Sequence, residues 1–260
     1  MTPLAYDRVG RGAPTLCLHP IGLDRTCWNA AVSHLADVEL IRVDLAGHGL
    51  SPDRDAAMRI EDDADRVAAL MDDLGLERVA VVGVSFGGMV GQTLALRHPD
   101  RVDALVAAAC PPGIPAEARD ALEERGRRAL KGGMAAVVDA TMERWFGAGF
   151  REAPEAQATR GRLLADDPRN WAAAWQAIAQ FDLRPELPRI ACPVLALAGK
   201  EDLATPIEAM RDLASGVPDG TLEVIEGAPH MLHIEAAGAF GAHVGAFLNR
   251  VLQDRRAPGR

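Results

Sequence analysis

The stretch VVGVSFGGMV, Val81 to Val90, sets a serine between glycines directly after an apolar run. A serine hydroxyl is a weak nucleophile at its own pKa, so Ser85 needs a base, and that base needs an acid to orient it. Two later loops hold residues of those types: LALAGKEDLATP carries Asp202 and IEGAPHMLHIE carries His230, each just beyond an apolar run. The three side chains could together perform acyl transfer. His230 would take the Ser85 proton, Asp202 would hold the imidazole tautomer and stabilise its cation, and Ser85 would attack a carbonyl.

Other uses of the same residues set the standard. A dinucleotide loop needs G-x-G-x-x-G, but a serine stands where the second glycine must admit the pyrophosphate. A G-x-x-x-x-G-K-[ST] phosphate loop lacks its lysine. A helix N-cap suits serine but requires no glycine on either side. A strand-to-helix elbow, G-x-S-x-G, requires both, because small residues two before and two after the serine clear room for a tight crossing. Gly83 and Gly87 fill those positions, and the next amide, that of Phe86, then points with the helix N-terminus at a developing oxyanion. Taken alone, Asp202 beside Glu201 is a solvated turn residue and His230 a hydrogen-bonded loop histidine. His233 makes an H-x-x-H pair with His230, but no third ligand marks a metal site. The weight comes from order: Ser, Asp, His, each after a strand, where doubly wound sheets place ligands.

The elements that must position these residues follow from alternating apolar runs and helical periodicity, which predict βα units on a mainly parallel sheet. TLCLHP, VELIRVD, VAVVGV, VDALVAAAC, VLALAG and LEVIEG are the strand candidates. Ile60, Ala64, Val67, Met71 and Leu74 recur at helical spacing, with Gly75 as a stop. GGMVGQTLALRHPD is the next helix, closed by Pro99, and Met89 and Val90 are expected to pack behind the elbow. The first dozen residues, with Gly10, Gly12 and Pro14, read as a hairpin entering the sheet. After Cys110, PPGIP breaks the alternation, and a helical segment follows that holds Trp145, Phe146, Phe150, Trp171, Trp175 and Phe181, more than half of the chain's aromatic residues. A small helical domain needs bulky residues for its own core, which accounts for most of them; some can face a pocket instead.

Composition bounds the function. The 260 residues suit one large domain, and a formal charge of -9 argues against a nucleic-acid partner, which needs a clustered basic surface. The basic tail DRRAPGR reads as a solvated terminus. No run approaches the roughly 18 apolar residues of a membrane span, and the start MTPLAYDRVGRG carries no leader pattern, so a cytoplasmic protein without membrane partners is expected. Cys17, Cys27, Cys110 and Cys192 form no metal or disulfide pattern and are expected to be buried free thiols. A homo-oligomer is compatible with the sequence.

With that order established, GVSFGG, GKEDLATP as G-x-x-D-x-x-x-P, GAPHMLHIE with Glu235 downstream, and DLAGHGLS as D-x-x-G-x-G-x-S resemble the α/β-hydrolase superfamily nearly end to end. The resemblance implies an α/β-hydrolase fold: a mostly parallel central sheet flanked by helices, with a core of residues 1–112 and 190–260 and an inserted helical cap at 113–189. It makes His48 a loop organiser rather than a catalyst. Where the superfamily usually has His-Gly, LHPIGLDRTCW has His19-Pro20. Proline carries no amide hydrogen, and the resemblance places the donor on Ile21, with Gly22 supplying the turn; Ile21 and Phe86 amides would then form the oxyanion hole. H-P-I-G-L-D-x-x-x-W and FDLRPELPRIACPVLALAG look most similar to the 3-oxoadipate enol-lactonase group and its esterase relatives.

The expected function is cleavage of a small carboxylic ester or (enol-)lactone through an acyl-enzyme, on a small-molecule substrate and without a metal or organic cofactor. Two enzyme alternatives share the framework, C–C bond hydrolysis of a ring-fission-type diketone and cofactor-free perhydrolysis. A hydrolase-fold ligand receptor is the non-enzyme alternative, although a pure binder has no need of all three side chains. Trp145, Trp171 and Trp175 are the substrate-pocket candidates. Arg144, Arg162 and Arg169 could pair with a substrate carboxylate, but solvated helix faces explain most such arginines.

Overall fold

The computed structural model describes residues 3–256, the last three by their backbone alone. Strands β1 (Tyr6–Gly10), β2 (Ala13–Leu18), β3 (Val38–Val43), β4 (Val79–Val84), β5 (Val102–Ala108), β6 (Val194–Gly199) and β7 (Gly220–Ile225) form one sheet in the order β1-β3-β2-β4-β5-β6-β7. Only β1 runs antiparallel to its neighbour; the other pairings are parallel. Parallel strands are covered on both faces and therefore read as unbroken apolar runs rather than alternating ones. In β4, Val79 and Val81 enter one core, while Ala80, Val82 and Val84 enter the other.

Each parallel pair needs a crossover. Helices α1 (Asn29–Val32), α2 (Ile60–Asp73), α3 (Phe86–Arg97), α4 (Ala116–Gly132), α5 (Val138–Trp145), α6 (Pro154–Leu164), α7 (Pro168–Ala179), α8 (Ile207–Gly216), α9 (Leu232–Glu235) and α10 (Ala237–Arg256) complete the chain. Ile60, Val67 and Met71 of α2, Val90 and Leu94 of α3, and Met210 and Leu213 of α8 join the core on one face of the sheet. Ala31 of α1 and Phe240, Val244 and Leu248 of α10 join the core on the other. Helix α3 is buried along its whole length up to Arg97; most of its residues are small or apolar, and its buried polar side chains are bonded inside the protein, Gln92 Nε2 donating to the Pro111 carbonyl and Thr93 Oγ1 to the Met89 carbonyl.

The expected hairpin at the start does not form. Strand β3 lies between β1 and β2, with Val9 opposite Leu40 on one side and Leu16 opposite Ile41 on the other. Gly10 and Gly12, at φ 85 and 137, carry the chain around the start of β3, across two strand spacings instead of one.

Helices α4 to α7 all fall between β5 and β6, and the two crossings of this segment are tied together. The Ile114 N–H donates to the Phe181 carbonyl at 2.8 Å, the Leu183 N–H donates to the Pro112 carbonyl at 2.8 Å, and Gly113 and Asp182 form an isolated antiparallel bridge. Trp145, Phe146, Trp171 and Phe181 are buried and continuous with the core on the α3 face. All four cysteines are free; Cys17, Cys110 and Cys192 are buried, whereas Cys27, contrary to expectation, is only partly so. The last four residues of the tail DRRAPGR, and the side chains before them, lie outside the described residues. No helix among those described is long and apolar enough to cross a membrane.

Candidate active site

Strand β4 ends on the sheet's central axis, and the chain turns at Ser85 straight into α3. Ser85 has φ 53 and ψ -119, a conformation rare for any residue with a side chain. Its N–H donates to the Ala108 carbonyl at the end of β5, 2.8 Å away, and its carbonyl accepts from Met89 N–H at 3.0 Å, so the strain is held from both sides. The glycines explain how helix and sheet come so close. A Cβ on Gly83 would lie 2.4 Å from the Gly87 carbonyl oxygen, and one on Gly87 would lie 2.0 Å from the Leu18 carbonyl oxygen. Ser85 takes the N-cap position of α3, yet its side chain makes no capping bond; the hydroxyl is engaged elsewhere.

That engagement is with His230. The Ser85 Oγ–H donates to His230 Nε2 at 3.1 Å, and His230 Nδ1–H donates to both Asp202 carboxylate oxygens, at 3.1 and 2.9 Å. The carboxylate only accepts, so the imidazole proton sits on Nδ1 and the Nε2 lone pair faces the serine. Asp202 also accepts the N–H groups of Ala204 and Thr205 at 2.7 and 2.9 Å, which fixes its rotamer and stabilises its charge. The side chains of His230 and Asp202 are 3% and 1% exposed, so water competes little for these bonds. The two loops meet because Gly199 ends β6, where a Cβ would lie 2.4 Å from the Ala228 carbonyl oxygen. Glu201 N–H donates to that same carbonyl at 2.9 Å, while the Glu201 side chain is exposed.

On the other side of the elbow, Ile21 and Phe86 are buried, and among the described residues no protein acceptor takes either amide hydrogen. The Ile21 loop is set by a histidine, one of whose partners lies too far along the chain for the sequence to reveal. His19 Nε2 accepts from Leu45 N–H at 2.9 Å, and its Nδ1–H donates to the Pro20 carbonyl at 2.7 Å. Burial lowers its pKa, which keeps the ring neutral and this tautomer in place. His48 is likewise buried and neutral, its pKa held well below the ordinary value by burial, with Nδ1–H donating to the Ala46 carbonyl at 3.0 Å. Asp44 closes the same turn by accepting the Leu50 N–H at 2.9 Å and the Arg25 N–H at 2.7 Å. Beneath the elbow, the Arg54 guanidinium lies 5.5 Å from the Phe86 ring centre and is ion-paired to Asp63, with both charged side chains fully buried.

The candidate tryptophans divide. The Trp145 ring lies 6.3 Å from the His230 ring, and its carbonyl accepts the Met231 N–H at 3.1 Å. Trp175 and Trp145 both line a cavity of about 240 Å³ between α4, α5 and α7. Trp171 is packed instead against Gly22, with its ring edge-on to Trp175 at 5.7 Å. Of the three arginines, Arg162 is paired with Asp24 and Asp166, and Arg169 with Asp167; Arg144 lines the cavity. His233 is fully buried between Trp28 and Phe240, and burial drives its pKa down to about 3. Glu235, downstream of it, accepts the Gly147 N–H at 3.0 Å and so ties the end of α5 to the histidine loop.

A seven-stranded sheet of this order, a strained serine at the end of its central, fourth strand and an acid and a histidine after its last two strands define the class. The chain belongs to the Alpha/beta hydrolase family, whose model matches residues 15–242. It is 31% identical over 233 residues to 3-oxoadipate enol-lactonase 2 of Acinetobacter baylyi, an alignment covering 88% of this chain and 86% of that one. The enol-lactonase of Burkholderia xenovorans LB400 has a crystal structure that superposes with a TM-score of 0.87 at 32% identity, covering 95% of this chain and 96% of that one. A malate-bound thermophilic esterase of Thermogutta terrifontis superposes with a TM-score of 0.88 at 30% identity, covering 95% and 93%.

Proposed function

We propose that this hydrolase-family protein cleaves small carboxylic esters or lactones through an acyl-enzyme, with Ser85 as nucleophile. The observation that carries the proposal is the unbroken chain of hydrogen bonds from Ser85 through His230 to Asp202, at 3.1 and 2.9 Å, on a residue held at φ 53. Ser85 Oγ forms a bond to the carbonyl carbon as its proton passes to His230 Nε2. The resulting oxyanion receives the N–H groups of Ile21 and Phe86, donors whose individual loss typically costs about a hundred-fold or more in rate. His230 then protonates the departing oxygen, which leaves as an alcohol or, in a lactone, stays tethered to the acyl group. A water deprotonated by His230 attacks the acyl-enzyme and restores Ser85. Residues 113–189 act as the cap that selects the substrate, and besides the attacking water these steps use side chains and amides of the chain itself.

The relatives support the bond type, since two are enol-lactonases and one an esterase by name. The test compares a 4-nitrophenyl ester, a simple lactone and a ring-fission dienone as substrates for the wild type and Ser85→Ala. Ester or lactone turnover with a burst of the first product, absent in Ser85→Ala, is expected. Fast cleavage of the dienone alone would replace the proposal with C–C hydrolysis.

A further inference from the structure

The loop that carries the Ile21 amide has little to hold it from within. Among the described residues, the amides of Ile21 to Asp24 make one protein hydrogen bond, from Leu23 N–H to the Pro20 carbonyl at 3.3 Å. The core secures the two ends: His19 Nδ1–H donates to the Pro20 carbonyl at 2.7 Å, and Asp44 accepts the Arg25 N–H at 2.7 Å. The middle is held by the helical segment between β5 and β6. Gly22 turns at φ 72, and a Cβ there would lie 2.7 Å from Leu163 Cδ2 of α6 and 2.5 Å from Trp171 Cζ3 of α7, so two buried side chains press on the turn next to Ile21. Two residues on, one oxygen of the Asp24 carboxylate accepts the Thr26 N–H at 2.9 Å and caps the helical turn Arg25–Trp28, while the other accepts Arg162 Nε–H of α6 at 2.7 Å. Arg162 is braced from its own side by the buried Asp166, at 3.1 Å. Asp24 and Arg162 together line a cavity of about 300 Å³ and another of about 450 Å³, so the pair is a strut with open space on either hand.

We propose that Arg162 is a positioning residue for the reaction: through Asp24, and with Leu163 and Trp171 against Gly22, it fixes from the cap the direction in which the Ile21 N–H points. The inference rests on the hydrolase function above and gives the cap a second duty, that of orienting an oxyanion donor. Such a donor works by being in place before charge develops, so a displacement of about 1 Å is enough to cost rate. Arg162 touches neither substrate nor reacting atoms in this role; it acts on the loop. The same helix supplies the contrast. Arg160 pairs with Asp139 inside the cap at 2.5 Å and, among the described residues, reaches no part of the core. A ground-state carbonyl gains little from the Ile21 amide and the tetrahedral oxyanion gains much, so loss of the strut falls on kcat rather than KM.

The test measures kcat and KM on 4-nitrophenyl butyrate for the wild type, Arg162→Gln, Arg162→Lys, Asp24→Asn and the variant carrying both Arg162→Gln and Asp24→Asn, with Arg160→Gln as control. Arg162→Gln is expected to lower kcat about ten-fold, less than the roughly hundred-fold cost of deleting an oxyanion donor, and to leave KM within about two-fold. Asp24→Asn should do the same, and because both changes break one contact the double variant should be no more than about two-fold slower than either. Arg162→Lys should recover part of the rate, and Arg160→Gln should match the wild type. Two ketones separate positioning from general loosening. Butyl trifluoromethyl ketone adds to Ser85 and places an oxyanion in the hole, so its Ki should rise in Arg162→Gln by the factor through which kcat/KM falls; butyl methyl ketone, which stays largely a carbonyl, should bind as it does to the wild type. Unchanged kcat in Arg162→Gln, a loss confined to KM, or equal weakening of both ketones would overturn the positioning role while leaving the hydrolase intact. Should Arg162→Gln fail to fold, Leu163→Ala, which opens the contact with Gly22 and keeps the ion pair, is judged by the same split in kcat and in ketone binding. No ester turnover by the wild type would refute the hydrolase function and, with it, the need for an oriented donor.

Discussion

Ser85 is held at φ 53 and ψ -119, a conformation that costs a side-chain-bearing residue about 1–3 kcal/mol. The neighbours hold it there: Ala108 takes its N–H, Gly83 and Gly87 leave the space, and His230 receives its hydroxyl. At this scale the choice between adjacent acids is decided by direction, since Asp202 faces His230 with both oxygens and Glu201 faces solvent. Asp202→Asn is therefore expected to lower kcat by about 10⁴ on an aryl ester, and Glu201→Gln to leave it within a small factor of the wild type. Comparable losses in both variants would move the orienting role. His19→Phe should slow turnover, by less than the roughly hundred-fold loss of an oxyanion donor, with KM little changed, because it frees the Pro20 carbonyl that it now holds at 2.7 Å. The proposed catalytic side chains were legible in sequence because their types are few and their chain order is informative. His19 was visible as a residue but not as a support, since its partner Leu45 stands on the next stretch of chain and no local pattern links them.

Elements were legible where burial writes itself into composition. The parallel strands and α2 were readable from apolar runs and helical spacing, because each buries a continuous face or stripe. Pairing was not readable: β1 and β2 have the turn residues of a hairpin, but partner choice is settled by β3, nearly thirty residues on. The pair beneath the elbow was equally hidden, since Arg54 and Asp63 look like ordinary surface charges in sequence and are both fully buried. Removing one partner of a buried pair leaves the other uncompensated. Asp63→Asn is expected to lower unfolding free energy by about 3–5 kcal/mol in urea titration, and to weaken turnover by loosening Phe86 at the start of α3. A loss below about 1 kcal/mol would show that the pair carries little of the elbow's support.

Over the whole molecule, three buried histidines set the response to acid. Burial lowers the pKa values of His19, His48 and His233, the last from 6.5 to about 3. In the unfolded chain these groups bind protons near pH 6.5, so below pH 6.5, and for His233 down to about 3, the unfolded state holds more protons and stability falls as pH falls. Each fully buried histidine contributes up to about 1.4 kcal/mol per pH unit over its window. Asp63 and Asp166, raised by burial from 3.8 to about 6, act in the opposite sense: between those values the folded state keeps their protons, so their contribution declines as pH rises. Glu235, raised by burial as well, acts with the two aspartates; near pH 6.5 the histidines titrate first, so the melting temperature should drop on initial acidification below pH 6.5. His233→Leu should flatten that decline without cost at neutral pH, because neither His233 ring nitrogen has a partner among the described residues. Calorimetry from pH 7.5 to 4 checks both, and an unchanged acid slope in the variant would remove His233 from the account.

The expectations for turnover depend on the Ser85 hydroxyl being the group that attacks. A fluorophosphonate reacts covalently with a serine activated in this way, and peptide mass spectrometry locates the adduct. The expected result is a single phosphonylated site at Ser85 and no labelling of Ser85→Ala. An unlabelled wild type, or equal labelling of the variant, would contradict the mechanism at its centre.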